Sequence, residues 1–396
     1  MDSAPLVVHD FFTFPGGGER LARTLAKGLG AVLWGAEVDV TAYPPGFFTP
    51  ECSPRSLRAF ARAPFWLRPS DTARLWWAFA KFPSCSPPWT VFSGSLSLLA
   101  HKRIPGKKIL YCHTPPRMLY DQRKTVLGNV SKWRGMGLRA LMAFYDKAFK
   151  EAVADMDGIV ANSANVQARI KHYLGLESRV VHPPIDTQEF QWLGQEDFYL
   201  SPGRLDPLKR VERIVRAFVR MPDKKLVLIS GGSEENRLQR LAKGAANIRI
   251  LGWVGEKRLK ELMGKCIATV YIPVDEDFGM SPVESMAAGK PVIGVQEGGL
   301  WETVGLDLTP EDRGGSSKVE GEANIRERTD GQGKMLETEC GVLVPPDPGV
   351  EDIIQAVRYL TPKLAGEKRG ACEQRASGFD SSIFLHKMQG VISSLQ

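Results

Sequence analysis

Few cysteines and no long apolar run set the first limits on this sequence. Its six cysteines, at positions 52, 85, 112, 266, 340 and 372 of 396, form no CxxC pair. That pattern argues against a disulfide framework and against a zinc site, and suits reduced thiols in a reducing compartment. No stretch approaches the roughly 20 apolar residues that a spanning helix needs. The start, MDSAPLVVHDFF, puts no basic segment ahead of an apolar run, so no signal peptide is expected and the chain reads as cytoplasmic. The sequence also has no GxGxxG, no P-loop and no usable internal repeat, which weakens a dinucleotide-dependent dehydrogenase.

What remains is an ordinary soluble composition, 43% hydrophobic and 24% charged, with a net charge of +7. The positive balance suits a phosphorylated substrate, an anionic membrane surface or nucleic acid, and cannot choose among them. Apolar runs such as PLVVHDFF, WTVFSG, KKILYCH and DGIVANS alternate with helical stretches near 18–29, 134–155 and 163–174. After HPPIDTQEF the rhythm restarts, with KKLVLISGG, IRILGWV, IATVYIP, KPVIGV and GVLVPP between helices near 207–220, 234–243, 256–264 and 281–288. Strand and helix in alternation imply parallel sheets with helices on both faces. The expected fold class is therefore α/β, with two doubly wound Rossmann-like domains facing an interdomain cleft. Residues 1–184 form the first domain, 185–195 a linker and 196–375 the second; a helix over 376–396 is expected to pack back on the first. The polar insert 307–339, nearly devoid of apolar residues, is expected as a mobile loop.

Ligands of open α/β sheets bind beyond the carboxyl ends of the strands, and the unusual residues fall there. Gly16, Gly17 and Gly18 precede a helix, so they form either a plain turn or an amide cradle for an anion. Arg204 and Lys209 sit in GRLDPLKR, either as a solvated basic turn or as a fork and a point charge aimed at a diphosphate. His113 follows a strand in CHTPPR, where a structural histidine competes with a catalytic one.

The stretch EDFGMSPVESMAAGKPVIG, 276–294, is the sharpest signal. Ser281, Pro282 and Glu284 read as a capping box, which is the bland account of Glu284. Capping leaves Glu276 unexplained, together with the free amides of DFGM; two carboxylates beside a cleft could instead accept hydrogen bonds from sugar and ribose hydroxyls.

These residues resemble the E-x7-E signature of the retaining glycosyltransferases of family 4, which have the GT-B fold. The resemblance runs from VHDFFTFPGGGER through YCHTPPRMLYD, ANSANVQARI, VVHPPIDTQEF and SPGRLDPLKRVERIVRAF to EGGLWETV. YCHTPPRMLYD with VVHPPID looks most like GDP-mannose-dependent α-mannosyltransferases that build bacterial surface polysaccharides on lipid carriers. The insert after WETV departs from the family pattern.

By that resemblance Glu284 would hold the donor ribose and Glu276 the transferred sugar. The amides of Gly279, Met280 and Ser281, with Phe278 beside them, would approach sugar and phosphate. Arg204 and Lys209, next to Gly203, would neutralise the diphosphate, and Gly17 and Gly18 would close over it. Trp253 and Val254 would flank the base, His113 would lie near the anomeric carbon, and Asp10, Arg117 and Tyr120 would face the acceptor.

The implied reaction moves a hexose from a nucleoside diphosphate to the hydroxyl of a lipid-linked saccharide with retained configuration. Fixed cations around the departing oxygen are its main catalytic resource. No metal or other cofactor is expected: DMD at 155–157 and DED at 275–277 imitate a metal motif, but the basic pair serves the diphosphate. Residues 55–82 interleave arginines with Trp66, Trp76 and Trp77, and read either as an anionic-lipid surface or as two helices burying their aromatics. No nucleic-acid motif is found. A nucleotide-sugar epimerase, a UDP-hexose donor and a catalytically dead sugar-nucleotide scaffold stay open as alternatives.

Overall fold

A computed structural model describes residues 4–57, 71–128, 130–305, 326–329 and 334–395. The chain divides into two compact units, residues 1–184 with 382–396, and residues 185–381. Residues 185–195, read from sequence as a linker, belong to the second unit, where Phe190 is buried in the core.

In the first unit the strands are β1 (Leu6–Val8), β2 (Phe11–Phe12), β3 (Val32–Gly35), β4 (Glu37–Val38), β5 (Arg55–Ser56), β6 (Trp89–Phe92), β7 (Lys107–Cys112), β8 (Gly158–Ala161) and β9 (Arg179–Val180). Seven of them form one parallel sheet in the order β5-β3-β1-β6-β7-β8-β9, while β2 and β4 pair separately. Its strands read as unbroken apolar runs because both faces are covered. Successive side chains point to opposite faces, so Leu6, Val8, Leu110 and Cys112 enter one core while Val7, Ile109 and Tyr111 enter the other. Helix Gly17–Leu29 lays Leu21, Ala22, Leu25 and Ala26 on the second core and ends at Gly30 in the left-handed conformation (φ 64°). Helix Ser381–Ser393 adds Phe384, Met388 and Ile392 to that same core.

The second unit holds β10 (Tyr199–Ser201), β11 (Leu226–Leu228), β12 (Ile248–Ile250), β13 (Thr269–Val270), β14 (Val292–Val295), β15 (Arg326–Thr329), β16 (Lys334–Thr338) and β17 (Gly341–Val344). Their order is β12-β11-β10-β13-β14-β17-β16-β15, parallel through β17 and antiparallel beyond it. The last two strands correct the expectation of a mobile loop over 307–339. Met335, Leu336 and Thr338 are buried, and that is enough to seat β16 beside β17; residues 306–325 lie outside the described ones. In both sheets the strand order reverses beside the first strand of the unit, between β1 and β6 and between β10 and β13. Such a reversal opens a crevice beyond the strand ends.

Candidate functional site

In the second unit the crevice beyond β10 and β13 is lined by charge. Lys209 Nζ donates to Glu276 Oε2 at 2.5 Å and to Tyr271 Oη at 2.9 Å, and Tyr271 Oη donates to the same carboxylate oxygen at 3.1 Å. Burial works against the Lys209 ammonium, but Tyr271 and Glu276 outweigh it and hold its pKa above the ordinary value. Burial, followed by the Glu276 charge, pushes the Tyr271 phenol up. The result is a fixed cation beside a carboxylate, both only partly screened from solvent. Gly203 lies under Tyr271, where an added Cβ would stand 3.3 Å from the ring.

The loops carrying these groups are pinned by Arg210, which the sequence reading passed over. Its guanidinium pairs with Glu297, donates to the Pro273 carbonyl at 3.1 Å and lies 3.5 Å from Asp347. One side chain thus ties the loops after β10, β13, β14 and β17. To do so Arg210 takes a left-handed backbone (φ 50°), so the helix expected over 207–220 becomes a short 3₁₀ turn at Pro207–Lys209 followed by an α-helix at Val211–Val219. Asp275 (φ 41°) and Ser230 (φ 80°) are strained in the same way at neighbouring strand ends. Strain of this kind costs roughly 1–3 kcal/mol per residue and gathers at functional sites. Gly298 and Gly299 complete the fit. A Cβ on Gly298 would meet the Glu276 carbonyl oxygen at 2.4 Å, and the Gly299 amide donates to that oxygen at 2.7 Å.

Beyond this loop the helix runs Met280–Ala287 with Gly279 (φ 93°) as its N-cap and no side-chain cap. The expected capping box is therefore absent; Ser281 lies inside the first turn and Glu284 is buried in the second. The first-turn amides, Met280 and Ser281 among them, have no intrahelical partner and form a ready anion site. Phe278 is a second correction. Its ring is buried against Phe379, with ring centroids 5.5 Å apart, so the side chain supports the loop. Arg204 is exposed, with its guanidinium 3.6 Å from Asp206, and no described contact joins it to the Lys209–Glu276 group. Trp253 is exposed beyond β12, while Val254 packs partly against the core.

The first unit has its own cluster beyond β1 and β6. His9 is buried, with Nδ1 2.9 Å from both the carbonyl and the hydroxyl oxygen of Ser93, and Nε2 3.7 Å from the buried Glu19. Burial alone would lower its pKa, but Glu19 raises it. His113 lies 6.2 Å away, ring to ring, and its enclosed Nε2 has no hydrogen-bond partner among the described residues. Burial first, and the charge of His9 second, push its pKa down to about 3. Gly18 makes room for both imidazoles, since a Cβ there would meet His9 at 3.1 Å and His113 at 3.6 Å. Gly17 opens the helix that carries Glu19.

Asp10 is spent differently from its expected place on the acceptor side. Its carboxylate accepts the Ser97 amide at 2.7 Å and the Leu96 amide at 3.1 Å. Arg117 pairs with Asp121 at 2.6 Å, and Tyr120 donates to Asp146 at 2.9 Å while stacking on Tyr173. None of the three is brought to His113 by a described contact. Asp155 and Asp157 of DMD bind Lys108 and Lys107, at 2.8 and 3.0 Å. Among the described residues no group of three or more His, Cys, Asp or Glu is arranged to hold a metal ion.

Residues 15–189 match the family model described as Glycosyltransferase Family 4, and residues 184–309 match that described as Glycosyl transferases group 1. Two glycosyltransferase family models thus match the chain in succession, one on each of its two units. The chain is similar to the alpha-1,3/1,6-mannosyltransferase ALG2 of Dictyostelium discoideum, 27% identical over 53% of this chain and 59% of that protein. It is also similar to the D-inositol 3-phosphate glycosyltransferase of Mycobacteroides abscessus, 26% identical over 42% of this chain and 40% of that one. The chain thus spans about half the length of the curated relatives it matches. Among solved structures it resembles sucrose-phosphate synthase of Thermosynechococcus elongatus, with a TM-score of 0.71 at 18% identity over 99% of each chain. Anabaena HepE in complex with UDP-glucose gives 0.64 at 15% identity, over 99% of this chain and 100% of that one. These likenesses establish the GT-B glycosyltransferase fold.

Proposed function

We propose that the protein transfers mannose from GDP-mannose, with retention, to a hydroxyl of a lipid-linked saccharide in polysaccharide assembly. The observation that carries the reading is the Lys209–Tyr271–Glu276 group at the strand-order reversal of the second unit. A fixed ammonium there offsets charge building on the departing diphosphate, and the adjacent first-turn amides of helix Met280–Ala287 add to it. Glu276 orients the sugar hydroxyls without attacking them, and Glu284 serves the ribose. Because Lys209 supplies the positive charge, turnover needs no divalent ion. The likeness to a mannosyltransferase supports mannose as the sugar.

A thermal-shift panel tests the donor. GDP should raise the melting temperature more than UDP or ADP, and GDP-mannose with a prenyl-linked saccharide should yield a glycoside in the presence of EDTA. Stronger stabilisation by UDP would move the donor to a UDP-hexose. Magnesium-dependent turnover would remove Lys209 from its assigned role, and a free epimerised nucleotide sugar would replace the transferase with an epimerase.

A further inference from the structure

Helix Lys132–Ala154 of the first unit is apolar on two opposite faces. The inward face buries Gly135, Met142, Tyr145 and Phe149, a spacing that puts all four on one side. On the other side Trp133, Met136, Leu141 and Phe144 project outward, exposed by 82%, 54%, 49% and 55%. Gly137 and Ala140, on the same outward line, are exposed as well. An outward row of four large apolar side chains is not needed for the fold and marks an interaction surface.

The charges beside the row are basic, and Glu151, an exposed acid farther along the same helix, faces Lys102 at 3.8 Å. Arg134 and Arg139 flank the row on the exposed surface, Lys147 follows it, and the short helix packed alongside exposes Arg123 and Lys124. The acid within this stretch, Asp146, is engaged by Tyr120 and Lys150. Trp76 touches Phe144, with ring centroids 5.9 Å apart, and extends the aromatic surface.

We propose that this face of helix Lys132–Ala154 lies in the headgroup layer of an anionic membrane, with Trp133, Met136 and Phe144 inserted and the arginines and lysines on the phosphates. Interfacial helices combine bulky apolar residues with a basic surround in this way. A second copy of the chain fits worse, because a symmetric contact would bring the same cations face to face. Among the described residues no helix is long and apolar enough to cross a bilayer, so the attachment is peripheral. The surface differs from the one expected over 55–82. There Phe79 and Phe82 are fully buried, Trp76 and Trp77 are half-buried, and residues 58–70, Trp66 among them, lie outside the described ones. The purpose of the contact, reaching a lipid-linked acceptor, rests on the proposed transfer; the binding itself does not.

Flotation of the full chain with vesicles tests it. Vesicles of phosphatidylcholine with one part in three phosphatidylglycerol should carry the protein upward, those of phosphatidylcholine alone should not, and high salt should weaken the first result. Changing Trp133, Met136 and Phe144 together to Ser should abolish flotation while leaving the melting temperature unchanged, since all three are exposed. The charge variant, with Arg134, Arg139 and Lys147 each changed to Gln, should lower partition on the order of a hundredfold, at roughly fivefold per charge. A wild-type chain that ignores both vesicles, or a Ser variant that floats normally, overturns the proposal. So does a dimer in size exclusion that the Ser variant dissolves. A chain that floats yet gains no stability from any nucleoside diphosphate would sink the transferase reading and leave the surface standing.

Discussion

Beyond β1 and β6 the ionisable groups are shut away: His9 against Glu19, His113 with an enclosed Nε2 that has no partner among the described residues, and Asp10 consumed by two amides. Beyond β10 and β13 they stay partly open, and the backbone around them is strained at Arg210, Ser230 and Asp275. The two sheets reverse strand order in the same manner, so topology alone does not set the chemistry of the crevice. In the first unit both imidazoles are desolvated, and Glu19 decides which of them carries charge. In the second, a left-handed arginine brings four loops to one place and keeps a cation and a carboxylate together.

That contrast can be broken most severely at Arg210. Arg210→Met leaves Glu297 without its partner in a largely buried pair and should cost about 3–5 kcal/mol in denaturant unfolding of the second unit. A loss below 1 kcal/mol would mean the loops hold without the arginine. Lys209→Met removes the cation that faces the diphosphate and should lower donor turnover roughly 10²–10³-fold; a change within threefold would return the charge to some other group.

The histidine pair sharpens the comparison through pH. His113, held at about 3 from an ordinary 6.5, contributes stability that is complete above pH 6.5 and is lost as pH falls toward 3, at about 1.4 kcal/mol per unit. His9, held above 6.5, contributes stability that is complete below 6.5 and is lost as pH rises through its raised value. In melting curves taken across pH 4 to 8, His113→Gln should flatten the acid limb and His9→Gln the alkaline one. The smallest effect belongs to Arg204→Ala, which should shift stability by less than about 0.5 kcal/mol because the side chain is exposed.

The fold was readable because apolar runs mark covered parallel strands and the alternation with helices leaves few architectures. Within the site, Lys209, Glu276 and Gly279 announced themselves through residue type and position after a strand. Tyr271 did not, since it reads as one more apolar residue in IATVYIP, and its hydroxyl matters only once Lys209 folds over it. Arg210 stayed hidden because a left-handed arginine leaves no local signal; its partners lie 87 and 137 residues away in sequence, at Glu297 and Asp347. Phe278 misled for the converse reason, because a motif neighbour of the site turned out to be core. His9 and Glu19 meet across the glycine turn, a pairing that requires knowing where helix Gly17–Leu29 packs.

Residues 382–395 return to the unit in which the chain began, seating Leu385 against Gly28 and Leu395 against Gly158. During synthesis the order of completion is therefore inverted. Ribosomes usually release domains in the order they are made, yet here the first sheet waits for residues 382–395 before one of its two cores can close. A released chain truncated after residue 381 should present a finished second unit and a chaperone-binding, protease-sensitive first one.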